Sequence, residues 1–403
     1  MPMKYLVRRL VLCPIVAASG VLTAVVHAQD PVNDSISRRV YDIPEVTVKA
    51  RRTPPSVKAA SPLQVMNKAE MERMGISEVA DAVRHFSGVS VKDYGGIGGL
   101  KTISVRSLGA QHTGVIYDGV SVSDCQSGQI DISRFSLTNI SQLTLTIGQS
   151  DDIYQSARAF ASAGVLHIQT DRPDFSEQNW HINTTLKAGS FGLANPSVLY
   201  SQQLSQRTSI SLYGDYLRAD GNYPFKLWNG NQLIDSKRNN SDIQTYRAEA
   251  TLYTSFTPKQ DLQVKAYLFD SERGLPGGVI YDNPYAAERL SDKNYFGQFR
   301  YENRFSEKFK LQALGKFNYS WNRDYNDEAS GITDDRYRQT ESYLSATLWT
   351  EPLKGLSFSL AQDFAYNYLH TTLDKCQFPE RFTYLTALSL IHISEPTRHS
   401  LIS

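Results

Sequence analysis

Residues 245–256 read TYRAEATLYTSF. In an extended chain Tyr246, Ala248, Ala250, Leu252 and Phe256 fall on one side, and Arg247, Glu249 and Thr251 on the other. A period of two with unlike faces is the pattern of a β-strand between two different media. Residues 309–321, FKLQALGKFNYSW, repeat it: Phe309, Leu311, Ala313, Phe317, Tyr319 and Trp321 oppose Lys310, Gln312, Lys316 and Asn318. About ten such segments run between Trp180 and Leu390, several as long as the 9–11 residues of a tilted membrane strand.

The connections between these segments sort by length. SQR (205–207), TPKQD (257–261), SEK (306–308) and EPLKG (351–355) are short. Between them stand long polar stretches at about 219–243, 271–294, 322–337 and 370–381. Short turns at one end and long loops at the other are expected of an antiparallel transmembrane β-barrel, not of a soluble sandwich. Only the hairpin around GSFGLA (189–194) places a short loop at the long-loop end.

Composition is consistent with that reading. Mean hydropathy is −0.37, and past residue 28 no apolar run approaches the ~20 residues of a membrane helix. This excludes helical spanning but not a barrel, whose alternating strands are only mildly hydrophobic on average. The net charge of +1 points to no nucleic-acid partner.

Upstream of the barrel the chain has three further zones. Residues 1–28 read as a signal peptide exported through the Sec pathway. Lys4, Arg8 and Arg9 precede an apolar stretch, and VHA precedes Gln29. Leu12 is too bulky for the residue before a lipidated cysteine at Cys13. Residues 29–60, with Pro31, Pro44, Pro54 and Pro55, read as an extended periplasmic arm. Within it PEVTVKA, residues 44–50, is an isolated strand-like segment in need of a partner.

Residues 61–172 read as a compact mixed α/β domain. Asn67 with Glu70 forms a capping-box-like start to a short helix ended by Gly75. Ser77 is placed to cap a second helix, with Val79, Val83 and Phe86 on one face and Gly88 as its stop. Short strands follow in GVSVKD, KTISVRS, TGVIYDGV, SQLTLTIG and AGVLHIQT. GGIGGL (95–100) lacks the spacing and the following helix of a nucleotide loop, and reads as a turn.

In this order the segments resemble a TonB-dependent outer-membrane receptor of the siderophore or vitamin B12 type. PEVTVKA looks like the TonB box, so the resemblance assigns the TonB contact to Pro44, Glu45, Val46, Thr47, Val48, Lys49 and Ala50. KTISVRSLGAQHTGVIYDGVSV resembles the first plug signature, carried by Arg106, Tyr117, Asp118 and Gly119. NISQLTLTIGQSDDIYQSARAFASAGVLHIQT resembles the second, with Gly164 before the last plug strand. Ser107 stands where the family usually has glycine after the signature arginine, Ile147-Gly148-Gln149 replaces its RGP, and Tyr154-Gln155 and Ala163-Gly164 replace YG and GG. Fewer glycines restrict positive-φ backbone, so differently shaped plug loops are expected.

The resemblance implies active import of a scarce bulky ligand, a ferric siderophore or a corrinoid, across the outer membrane of a Gram-negative bacterium. The plug would be gated by the TonB energy-transducing complex. The expected molecule is a monomer in outer-membrane lipid, with no cofactor, no metal site and no enzymatic reaction. Ligand contacts are sought at Gln111 and His112 in a plug loop, and at Asn222, Tyr223 and Trp228 in the 219–243 loop. Arg106, Arg158 and Asp118 read as ion pairs within the plug or to the wall. The alternative is a passive porin or a surface-adhesive barrel, which needs neither a TonB box nor a domain in its lumen.

Residues 388–398, LSLIHISEPTR, read like a translated sequencing adapter. Setting 388–403 aside leaves a partial barrel at 173–387, about nine complete strands against the ~22 of the family. Past the signal peptide, Cys125 and Cys376 are too few for a disulfide framework and read as free thiols, with a single bridge as the alternative.

Overall fold

Asn67 starts a helix as its spacing from Glu70 implies: its side chain accepts the Glu70 N–H at 2.9 Å. The computed structural model describes residues 63–392, apart from 95, 96, 98, 151, 278–285, 329, 330 and 374–377. The signal peptide, the arm, residues 44–50 and Cys376 lie outside the described residues.

The mixed domain comprises β1 (Leu63–Asn67), α1 (Lys68–Arg73), α2 (Val79–Arg84), β2 (Val89–Asp93), β3 (Lys101–Val105), β4 (Thr113–Tyr117), β5 (Val120–Val122), β6 (Ile140–Ile147), α3 (Ala157–Phe160) and β7 (Gly164–Thr170). Five strands form a sheet in the order β1-β6-β7-β4-β5, and β2 pairs with β3. β4 and β7 are parallel and their neighbours antiparallel. The core joins Val79, Val83 and Phe86 of the helical segment to Leu143, Leu145 and Ile168 of the sheet.

Three local expectations need correction. β1 was not anticipated before Asn67; it is an edge strand paired to β6. Ser77 does not cap α2, because Glu78 holds that position without a side-chain bond. The helix also ends before Gly88, at His85, and Gly88 (φ +75°) instead reverses the chain into β2.

The period-two segments form one antiparallel sheet of ten described strands. They are β8 (Trp180–Ala188), β9 (Ala194–Ser205), β10 (Thr208–Ala219), β13 (Ile243–Thr257), β14 (Gln260–Gly274), β15 (Arg289–Ser306), β16 (Phe309–Glu328), β17 (Gly331–Leu353), β18 (Leu356–Thr371) and β19 (Arg381–His392). Their faces are inverted relative to a soluble sheet. Lys316, Asn318, Glu249, Thr251 and Gln298 are buried, while Phe317 (57 % exposed), Leu268, Leu344 and Tyr246 point outward. Apolar-out and polar-in is the order that lipid outside and a filled lumen inside demand.

Aromatic pairs mark the apolar band. Phe305 and Phe309 meet at 5.4 Å beside a short turn. Tyr216–Tyr246, Tyr295–Tyr319 and Tyr366–Phe382 meet at 4.9, 6.3 and 5.0 Å. These pairs lie about ten residues along their strands from the short turns. At ~3.3 Å per residue and a ~40° tilt, that separates the two aromatic levels by about 25 Å, the height of the apolar band of an outer-membrane barrel.

Much of the sequence expected as long loops is strand. β14 runs on to Gly274, β16 to Glu328, and β17 begins at Gly331. The 219–243 stretch holds a hairpin of β11 (Pro224–Asn229) and β12 (Gln232–Lys237). Beyond the lipid both faces of a strand are polar, as at the Arg323–Asp334 pair (2.7 Å), so the alternation disappears although the ladder continues. The sheet likewise runs past Ala387: Leu388 pairs with Leu360, and Leu388 (75 % exposed) and Leu390 keep the outward face while Ser389 turns inward. Residues 388–392 are therefore strand, and 393–403 lie outside the described residues.

Candidate functional site

The signature turn Tyr117-Asp118-Gly119 is held against the wall by a buried network. The Tyr117 hydroxyl donates to Glu249, with both carboxylate oxygens at 2.7 Å, and the Asn139 amide donates to Glu249 at 3.1 Å. Lys265 (1 % exposed) bridges Glu249 at 2.8 Å and Asp118 at 2.7 Å. Asp118 in turn accepts from the Thr170 N–H (2.8 Å) and hydroxyl (2.7 Å). Burial, and then the charges of Glu249 and Asp118, push the Tyr117 phenol well above its usual pKa, so it remains a donor. Tyr117, Phe135, Tyr267 and Phe296 pack around this network, with Tyr267 and Phe296 stacked at 4.5 Å. Asp118 takes φ +48° and Gly119 φ +88°, and a Cβ at Gly119 would meet Arg300 at 3.0 Å.

A second contact lies on β17 and β18. Arg158 pairs with Glu341 at 3.0 Å and lies 4.4 Å from the Tyr343 ring centroid. Asp363 accepts the Ala157 and Arg158 N–H groups at 3.2 and 2.8 Å, so the wall supplies the cap of α3. Cys125, a free thiol, receives the Asn367 amide at 3.3 Å. Its pKa is pushed up to about 11, first by burial and then by Glu341 and Asp124. Arg158 and Asp118 are thus wall contacts, whereas Arg106 is exposed at φ +49°.

Two cavities lie along β13–β16 on either side of the aromatic layer. At the long-loop end, a chamber of about 540 Å³ opens between Tyr94, Ile97 and Leu100, the plug segment 124–134, and the strand ends near Ile243, Arg273, Leu290 and Asn322. At the short-turn end, a cavity of about 490 Å³ is lined by Asp118, Tyr154, His167, Arg300 and Gln312. Burial holds the His167 imidazole below its usual pKa. The chamber has room for a bulky solute, and the buried network lies beneath it.

The expected ligand residues are not brought together there. Gln111 and His112 are exposed, and Gln111 lines a different cavity, beside Arg158 and Glu341. Asn222 and Tyr223 lie at the base of the β11–β12 hairpin, where Tyr223 packs on Phe191 at 6.2 Å. Trp228 is 70 % exposed on the hairpin itself. The chamber instead uses Arg134, Arg238, Asp292 and Tyr94, which sequence reasoning missed. A usable signal existed: Arg273 and Asp292 continue the inward-facing parity of their strands. Gly164 does have a visible role, since a Cβ there would meet the Val105 side chain at 3.0 Å.

Comparison with known proteins agrees with this architecture. The family model described as the TonB-dependent receptor plug domain matches residues 55–162. Among solved structures, the copper transporter OprC is similar at TM-score 0.61 and 16 % identity, over 77 % of this chain and 47 % of that one. The FrpB iron transporter from Neisseria meningitidis matches at 0.63 and 10 %, over 78 % and 50 %. The siderophore receptor PirA from Pseudomonas aeruginosa matches at 0.58 and 15 %, over 82 % and 53 %. The chain spans about half the length of these proteins. Residues 55–162 match the TonB-dependent receptor plug domain, and the plug packs against a wall with the fold of the barrels in these structures.

Proposed function

We propose that the receptor containing this chain actively imports a scarce bulky ligand, a ferric siderophore or a corrinoid, across the outer membrane of a Gram-negative bacterium. The observation that carries the reading is the plug's hold on the wall. Lys265, Glu249 and Asp118 are buried together between the two, so a solute cannot pass without displacing charged, hydrogen-bonded groups. A passive porin has an open lumen and needs no such barrier, which favours the importer over a porin.

In this reading the ligand enters the outer chamber, and the TonB complex pulls on residues 44–50 to shift the plug. That segment would add a strand to a sheet edge of its partner, with main-chain bonds giving affinity and alternate side chains giving register. Export follows the Sec route read from residues 1–28, the molecule acts as a monomer in lipid, and no covalent step is involved. The test is uptake by cells expressing the full-length receptor gene, with and without TonB. Val48→Pro removes a ladder donor and is expected to abolish energised uptake while surface binding persists. Uptake that survives loss of TonB overturns the proposal.

A further inference from the structure

The charge on the outer chamber narrows the class of cargo, given that the chamber is the cargo site proposed above. Six of its lining side chains are carboxylates and three are guanidiniums. The protein's own groups already engage the guanidiniums. Asp292 lies between Arg134 (3.8 Å) and Arg273 (3.7 Å), Arg134 also faces Asp131 at 4.0 Å, and Arg238 donates to the Gly277 carbonyl.

Asp242 is held by Arg289 at 2.7 Å, but Asp124, Asp131 and Asp324 are less well matched. Asp124 is satisfied by neutral donors, the Gln126 and Ser127 N–H groups at 3.0 and 2.7 Å and the Gln339 amide at 3.3 Å. Asp131 is 2 % exposed and accepts two N–H groups on one oxygen, while its other oxygen has no hydrogen bond. Asp324 stands directly across the β16–β17 ladder from Asp335, and one of its buried oxygens has no hydrogen-bond partner. Like charges placed opposite one another on a ladder repel. A donor or a positive charge arriving from the chamber would relieve that repulsion.

We propose that the chamber selects cargo that is neutral or positively charged and rich in hydrogen-bond donors, and disfavours anionic metal chelates. A cleft with low-dielectric walls and a surplus of one sign focuses its field on whatever enters.

Equilibrium binding to the purified full-length receptor, read by fluorescence quenching, tests this with three probes. They are a ferric trihydroxamate bearing a free ammonium, a neutral corrinoid, and a ferric tricatecholate of net charge about −3. The cationic or the neutral probe is expected to bind at least about tenfold tighter than the anionic one, within the range such focusing produces. The gap should shrink as salt rises. Asp324→Asn, and separately Asp124→Asn, should narrow it with the thermal melt unchanged. Equal or tighter binding of the tricatecholate overturns the charge inference and leaves the importer reading standing. Binding of none of the three overturns the chamber as the cargo site, and this inference with it.

Discussion

Arg106 and Ser107 turn the chain between β3 and the plug loop with φ of +49° and +59°. Left-handed backbone costs an L-residue about 1–2 kcal/mol, and glycine adopts it freely. The turn that glycine usually makes is therefore kept here by a serine under strain. Ser107→Gly should stabilise the plug by about 0.5–1 kcal/mol, once the greater freedom of glycine in the unfolded chain is subtracted. Calorimetry of the full-length receptor would show this as a higher plug transition, and a lower one would mean that the serine side chain contributes more than its backbone costs. Cys125 gives a pH-dependent prediction. With its thiol raised to about 11, the reactive thiolate is scarce at pH 8, so alkylation by iodoacetamide should be slow there and climb steeply towards pH 11. Glu341→Gln removes one of the negative charges that raise the thiol and should move the profile to lower pH. An unshifted profile would leave burial and Asp124 as the cause.

Contacts between elements decide how firmly the plug is held. Lys265 on β14 is the cation between Asp118 of the plug and Glu249 of β13. Lys265→Met leaves two buried carboxylates without their shared cation, a change expected to cost about 3–5 kcal/mol. It should make the plug sensitive to protease at denaturant concentrations the parent tolerates; equal resistance would show that water or another cation compensates. The in-trans cap on α3 is a milder case. Asp363→Ala orphans the Ala157 and Arg158 N–H groups at about 1–2 kcal/mol, and their hydrogen exchange should speed up while that of β7 is unchanged.

For the molecule as a whole, the inverted faces and the sorted turns set an orientation. The connections that follow Ala219 and Gly274 leave from strand ends at the chamber end, and 257–261 lies at the other. On intact cells expressing the full-length receptor, protease should cut the first two and spare the third. Cleavage at 257–261 with the membrane sealed would reverse the topology and place the chamber on the periplasmic side. The strand extensions past the apolar band carry the chamber walls, and it is there, rather than on the β11–β12 hairpin, that the polar lining converges.

The sequence by itself determined the strands within the lipid band, the direction each side chain faces and the short turns between them. Period two is a local property that needs only two unlike media. It also marked the cap at Asn67 and the signature turn at Asp118-Gly119, because caps and positive-φ turns are settled within a few residues. Only the tertiary structure decided which charges meet. Asp118 is far from Lys265 along the chain, and Arg134 is far from Asp292, so their pairing depends on how the plug packs against the wall. The same holds for the strand extensions from Asn322 to Glu328 and from Gly331 to Tyr337. Both of their faces are polar there, and the ladder is maintained by the neighbouring strand rather than by any pattern of their own.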